Sequence, residues 1–160
     1  MTFHSTASLG EARKWIVENA QKGCSCPCCG QRVQIYKRTL NSSLASFLYY
    51  LNKVTIELNP IDGWVHINRE MIQLRSVPIS RDYSVMRFWG LIEPKFSKGV
   101  NTGFWRLTLF GLDFIKGKTE APRHVWLFNN QLLRKSKETV KFKDIIKIPF
   151  EIDELLHPEK

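Results

Sequence analysis

The sequence predicts an α+β domain, and three observations carry that prediction. Apolar residues recur at helical spacing in several stretches, short β-type runs bounded by turn residues lie between and after them, and four cysteines crowd into six positions of one turn. A chain of 160 residues, 43% hydrophobic and 24% charged, is large enough to bury one real core. The expected organisation is a single domain, 1–160, in three parts: a cysteine knuckle over 24–38, a helix-rich core over 40–118, and a β-hairpin with a closing helix over 119–160.

Each element has its local reason. Ser8 followed by Glu11 makes a capping box, and Ala12, Trp15, Ile16 and Ala20 continue at helical spacing to a stop at Gly23. Val33 to Tyr36 reads as a short strand. Asn41 or Ser42 caps a second helix over 42–53, with Leu44, Phe47, Leu48 and Leu51 in one apolar stripe. Asn59, Pro60, Ile61, Asp62 and Gly63 are turn chemistry, and Trp64 to Ile67 follows as a strand. Residues 69–74 are ambiguous between helix and strand.

Pro78 breaks the chain. Ser80 then caps a third helix over 80–91, with Ile79, Tyr83, Met86 and Trp89 inward and Arg81, Ser84 and Arg87 outward. Glu93 to Gly103 has the composition of an exposed basic loop, and Phe104 to Thr108 follows as a strand. Thr108 caps a short helix that stops by Gly117. Beyond it, His124 to Phe128, the turn Asn129 and Asn130, and Gln131 to Arg134 form a hairpin. Val140 and Phe142 extend the β-rich part, and a last helix is expected over 152–156.

All four cysteines, Cys24, Cys26, Cys28 and Cys29, are too close for useful disulfides, and such a density of thiols suits a soft metal in a reducing compartment. Cys26, Pro27, Cys28, Cys29 and Gly30 match the CPxCG form of a zinc knuckle. Two thiolates separated by two residues reach one tetrahedral ion at about 2.3 Å each, proline stiffens the approach, and glycine relieves the turn behind. The expected cofactor is therefore Zn. A structural site needs four ligands and no second cysteine pair follows. Cys24 is the expected third; His4, His66, His124 or another cysteine can supply the fourth, and His66 is the choice, giving Cys24, Cys26, Cys29 and His66.

The formal charge is +9 and uneven. Residues 75–118 carry eight Lys/Arg against three acids, and 123–147 seven against two. A cationic second half suits a polyanion, and double-stranded DNA is the expected partner. A helix with Arg81, Ser84 and Arg87 on one face, followed by a basic loop between strands, has the layout of a winged helix. Arg81 and Arg87 then address base edges, with Ser84 between them, and Lys95, Lys98 and Arg106 contact phosphates. The alternative partner is a host protein, docked through Phe88, Trp89, Phe96, Phe104 and Trp105 if these stay exposed.

The stretches CPCCGQRVQIYKRTLNSSLA, RDYSVMRFWGLIEP and GFWRLTLFGLDFIKG together resemble a family of uncharacterised small proteins of bacteriophages and prophages. FWGLIEP followed by WRLTLFG also resembles the recognition helix and wing of MarR-like proteins, with Leu107, Thr108 and Gly111 in the places of their LT-x-x-G segment. The resemblance implies phage origin, the cytoplasm of an infected bacterial cell and a winged-helix body, and it implies no activity. The long terminal helices through which MarR-like regulators dimerise are missing, so a monomer and a differently built dimer are equally compatible with the sequence.

Catalysis is not expected. Asp62, Asp82, Asp113 and Asp144 are scattered, and no H-E-x-x-H, P-loop or G-x-G-x-x-G occurs. No apolar run is long enough for a membrane span, and the N-terminus lacks the pattern of a signal peptide. The combined expectation is a phage-encoded DNA-binding regulatory or accessory protein, or alternatively an effector that binds and redirects a host protein with the same body.

Overall fold

The computed structural model describes residues 6–147, which form an α+β fold with antiparallel strand pairs. The chain divides into two compact units. Of the described residues, one takes in 6–38 together with Trp126–Arg134; the other takes in Thr39–Val125 and 135–147. The knuckle thus shares its unit with most of the late hairpin.

Helix α1 (Leu9–Asn19) has the full predicted capping box, the Glu11 N–H donating to Ser8 Oγ at 3.2 Å and the Ser8 N–H to the Glu11 carboxylate at 2.6 Å. It ends at Ala20. Strand β1 (Cys24–Ser25) then pairs antiparallel with β2 (Arg32–Val33), Cys24 opposite Val33. The single strand expected over 33–36 is divided instead. Ile35 donates its N–H back to the Ala20 carbonyl at 3.2 Å, which ends β2 before β3 (Tyr36–Thr39) begins.

Helix α2 (Ser42–Leu58) starts on Asn41, whose side-chain oxygen accepts the Leu44 N–H at 3.0 Å, and outruns its predicted end by five residues. Asn59 in the left-handed region (φ 44°) stops it. Leu44, Phe47, Leu48 and Leu51 are all buried, and α2 is the post around which the second unit is built. Strand β4 (Val65–His66) is shorter than expected. The ambiguous stretch after it resolves as a π-helix, Ile67–Gln73, that buries Ile67 and Met71.

The third helix is corrected. It is a 3₁₀-helix, Tyr83–Trp89, and Arg81 lies in the turn ahead of it. The spacing explains why: Tyr83, Met86 and Trp89 recur at exact intervals of three, and side chains three apart eclipse in a 3₁₀-helix. Tyr83 stacks on Phe47 of α2 at 4.6 Å, Met86 and Trp89 are buried, and the Trp89 indole N–H donates to the Pro122 carbonyl at 2.7 Å. Burial also raises the pKa of the Tyr83 phenol, an effect that a hydrogen bond with Trp105 partly offsets.

The expected loop over 93–103 is also corrected, to a β-hairpin of β5 (Ile92–Ser97) and β6 (Val100–Leu107). Its turn is Lys98 and Gly99, both at positive φ (50° and 77°), the conformation of a two-residue hairpin turn. Strand order is β4-β6-β5, so β5 is an edge, and Pro94 is tolerated there beside a bulge between Pro94 and Phe96.

Thr108 accepts the Gly111 N–H at 2.9 Å and caps α3 (Leu109–Ile115), as predicted. Gly111 is there for space, since a Cβ would stand 2.0 Å from the Leu91 carbonyl oxygen. Next come β7 (Ala121–Pro122), β8 (His124–Phe128) and β9 (Gln131–Lys135), the last two joined by Asn129 and Asn130 at φ 50° and 59°. In the first unit, residues 36–38, 126–128 and 131–134 lie in a sheet ordered β3-β8-β9. Strand β10 (Thr139–Val140) pairs with β7, and Phe142 opens a short α4 (Phe142–Ile145) rather than extending a strand. The helix expected over 152–156 lies outside the described residues.

Candidate nucleic-acid interface and cysteine knuckle

The β5–β6 hairpin exposes Lys95, Phe96, Ser97, Lys98, Gly99 and Val100 without interruption. At its base, cations gather on aromatic faces. Trp64 lies under the Arg106 guanidinium (4.2 Å to the ring centre) and the Lys95 ammonium (5.6 Å). Phe104 has Lys95 and Arg69, each at 5.8 Å, and meets the edge of the His66 ring at 5.0 Å. Such contacts hold about 0.5–1 kcal/mol each at exposed sites and keep the positive charge ordered.

The predicted DNA-facing residues divide accordingly. Lys95 and Lys98 are exposed on the hairpin, and Arg81 and Ser84 are exposed at and before the 3₁₀-helix. Arg106 is not available as expected. Its Nε donates to Glu93 on the facing strand and its Nη1 to the Asp62 carbonyl at 3.0 Å, so its charge is largely neutralised within the sheet. Arg87 is half-buried with its guanidinium 4.8 Å above the Phe88 ring, a placement that comes from the 3₁₀ turn. Of the five aromatics weighed for protein docking, Trp89 and Trp105 are buried, Phe88 and Phe104 half-buried, and Phe96 alone exposed, at 55%.

Trp64 and Arg69 are not among the residues that the sequence places on this surface, and Phe104 enters it there only as a docking aromatic. Their contacts link residues far apart in sequence, and only the alternation of Phe104 and Arg106 on β6 hinted at them. The first unit holds a similar cluster, with Trp126 between Arg134 (3.9 Å) and Lys37 (5.7 Å).

The knuckle has tight backbone geometry. The Cys26 N–H donates to the Gln31 carbonyl at 2.8 Å and the Gly30 N–H to the Cys26 carbonyl at 2.9 Å, while Gly30 takes φ 72°. This fold directs the backbone N–H groups of Cys29 and Cys28 at Cys26 Sγ, and with the Cys29 thiol they hold the Cys26 pKa below the ordinary thiol range. All four cysteines are free: Cys28 and Cys29 are exposed, Cys26 is half-buried, and Cys24 is buried on β1.

Of the expected quartet, Cys24, Cys26 and Cys29 belong to the first unit and His66 to the second. Among the described residues, no three His, Cys, Asp or Glu side chains are grouped to hold a metal ion. His66 belongs to the second unit, where its Nδ1 accepts the Arg69 N–H at 3.2 Å and its ring packs on Phe104. His124 is engaged with Thr39 through Nδ1 at 2.9 Å, and His4 lies outside the described residues. Among the described residues no helix is long and apolar enough to cross a membrane. No family model, curated protein or solved structure matches the chain.

Proposed function

We propose that this chain is a DNA-binding regulatory or accessory protein of phage origin, acting in the cytoplasm of a bacterial host, with a winged-helix-like second unit and a zinc ion at the knuckle. The observation that carries the DNA reading is the hairpin β5–β6, with Lys95 on its arm and Lys98 at its tip, in a sheet ordered β4-β6-β5. Helix, strand, two helical turns, strand, cationic hairpin tip and strand follow one another as they do in a winged helix. The chain's +9 charge supports the same reading.

Binding rests on phosphates. Lys95 and Lys98 displace counterions from the duplex, and Lys95 is held in place over the Trp64 and Phe104 rings. Seven 3₁₀ residues span about 14 Å at roughly 2.0 Å each. This segment offers Ser84 and the stacked Arg87, with Arg81 before it. Base-edge reading is therefore limited, and sequence discrimination is weak compared with an α-helical reader.

The knuckle residues fit zinc. N–H groups aimed at Cys26 Sγ favour the thiolate, which is the form that binds metal, and the exposed Cys29 supplies a second sulfur at the CPxCG spacing. The ion would serve structure, fixing the β1–β2 turn, and would take no part in chemistry. This is a binding protein without enzymatic activity in our reading.

Anisotropy titrations of labelled duplex DNA across a salt series test the DNA reading. Affinity should fall steeply with salt, and Lys98→Ala and Lys95→Ala should each reduce the log–log slope by about 1. Arg106→Ala should leave the slope nearly unchanged, since its guanidinium is paired with Glu93. A chain with no affinity for duplex DNA, or with salt-independent affinity, defeats it. The host-protein reading draws on Phe96 and Val100, exposed together beside the hairpin turn. It gains if a defined host protein stays bound in nuclease-treated lysate and Phe96→Ala releases it.

A further inference from the structure

The knuckle brings the two sulfurs of the CPxCG spacing, Cys26 and Cys29, close to one another. Cys26 and Cys29 stand on either side of a turn closed by the Gly30 N–H to Cys26 carbonyl bond, and Gly30 in the left-handed region removes any side chain behind them. Cys24 points into its own unit and is 8% exposed. Zinc in a structural site takes four ligands, and two from one chain leave half the sphere open. Among the described residues, no group of three His, Cys, Asp or Glu side chains stands ready to hold an ion.

The Cys29 end of the turn is open to solvent. Cys28 and Cys29 are exposed in the turn, and a Cβ added at Gly30 would meet nothing within 4 Å. Both exposed thiols are therefore open to approach by a second knuckle. Charge acts in the same direction. Four thiolates around one Zn²⁺ carry a net −2, and the surrounding segment is basic, with Lys22 and Arg32 close to the turn in sequence.

We propose that Cys26 and Cys29 of two copies of this chain hold one zinc ion between them, making a Cys₄ site that exists only in the dimer. It rests on the zinc reading of the knuckle and is independent of the DNA reading. Four deprotonated thiols leave their protons to solvent on binding, and no oxidation is involved. The second copy is the natural occupant because two-fold symmetry returns the same two ligands at the same spacing. A single coordination sphere can join the copies without a large apolar interface, so dimerisation should depend on metal and be reversed by a chelator.

The test uses the full chain, reduced and metal-free, titrated with Zn²⁺ alone and in parallel with Co²⁺ alone. Expected are saturation at half an equivalent per chain, tetrahedral thiolate bands with Co²⁺, and a doubling of mass by light scattering that the chelator reverses. Cys29→Ser should abolish both the doubling and the half-equivalent endpoint with the far-UV spectrum unchanged. Cys28→Ser should keep them. One ion per chain on a monomer overturns the shared site while leaving the zinc knuckle intact. No uptake of either metal by the reduced chain overturns both.

Discussion

Replacing Gly111 by alanine isolates the contact that ties α3 to the strand β5 side of the second unit. In an ordinary helix interior this change stabilises by up to about 1 kcal/mol. Here the new Cβ would stand 2.0 Å from the Leu91 carbonyl oxygen and 2.9 Å from its carbon, where real Cβ atoms stay beyond 3.0 Å. The backbone must open by roughly 1 Å, which in packed interiors costs about 1–3 kcal/mol. That same oxygen accepts the Thr108 N–H at 3.1 Å and the Thr108 hydroxyl at 3.2 Å, so moving it weakens two hydrogen bonds worth about 1 kcal/mol each. The sum is a net loss of roughly 2–4 kcal/mol. Urea denaturation followed by far-UV circular dichroism should register it as a clear drop in midpoint. Gly117→Ala is the control: it has φ 77° but open space around it, and should lose only about 1–2 kcal/mol from backbone strain. A Gly111→Ala midpoint equal to or above that of the parent refutes the packing argument.

Thr108→Ala removes the α3 cap together with the hydroxyl's bonds to the Gly90 and Leu91 carbonyls, and should cost about 2 kcal/mol in the same assay, with Thr108→Ser recovering most of it. Glu11 is held below the ordinary glutamate pKa by the Ser8 backbone N–H first and the Ser8 side chain second. Its stabilising contribution is therefore present above the unfolded-state value and is lost as pH falls through the lower folded value. An NMR titration of the Glu11 carboxyl should give a midpoint below that of an exposed glutamate, and Ser8→Ala, which removes the hydroxyl but keeps the backbone N–H donor, should raise it only part of the way back; an unshifted midpoint in the parent contradicts the capping box.

Local signals were the legible part of this fold. The capping box at Ser8 and Glu11, the Asn41 cap with its 3.6-spaced stripe, the Thr108 cap and the Asn129–Asn130 turn each rest on neighbours in sequence, and each element stands where they indicate. What failed depends on fine periodicity or on distant partners. Tyr83, Met86 and Trp89 satisfy an α-helical template loosely and a 3₁₀ one exactly, so the helix changed type and left Arg81 outside it. The basic stretch after Glu93 has loop composition because its turn is Lys98–Gly99 rather than Asn-Gly and because Pro94 argues against a strand; the ladder to β6 outweighs both. In the candidate site, Lys95 and Lys98 were readable as exposed cations. The pairing of Arg106 with Glu93, thirteen residues away on the facing strand, was not, and neither was the gathering of Arg69, Lys95 and Arg106 over Trp64 and Phe104.

Pro94 has a consequence for how molecules of this protein coexist in concentrated solution. Strand β5 is an open margin of its sheet, and such a margin normally invites another chain to add itself by backbone bonding. A residue with no amide hydrogen, next to a bulge that breaks the even rhythm of the strand, denies an incoming segment a continuous row of donors. The cationic hairpin can therefore stay bare and accessible without becoming a seed for fibrils.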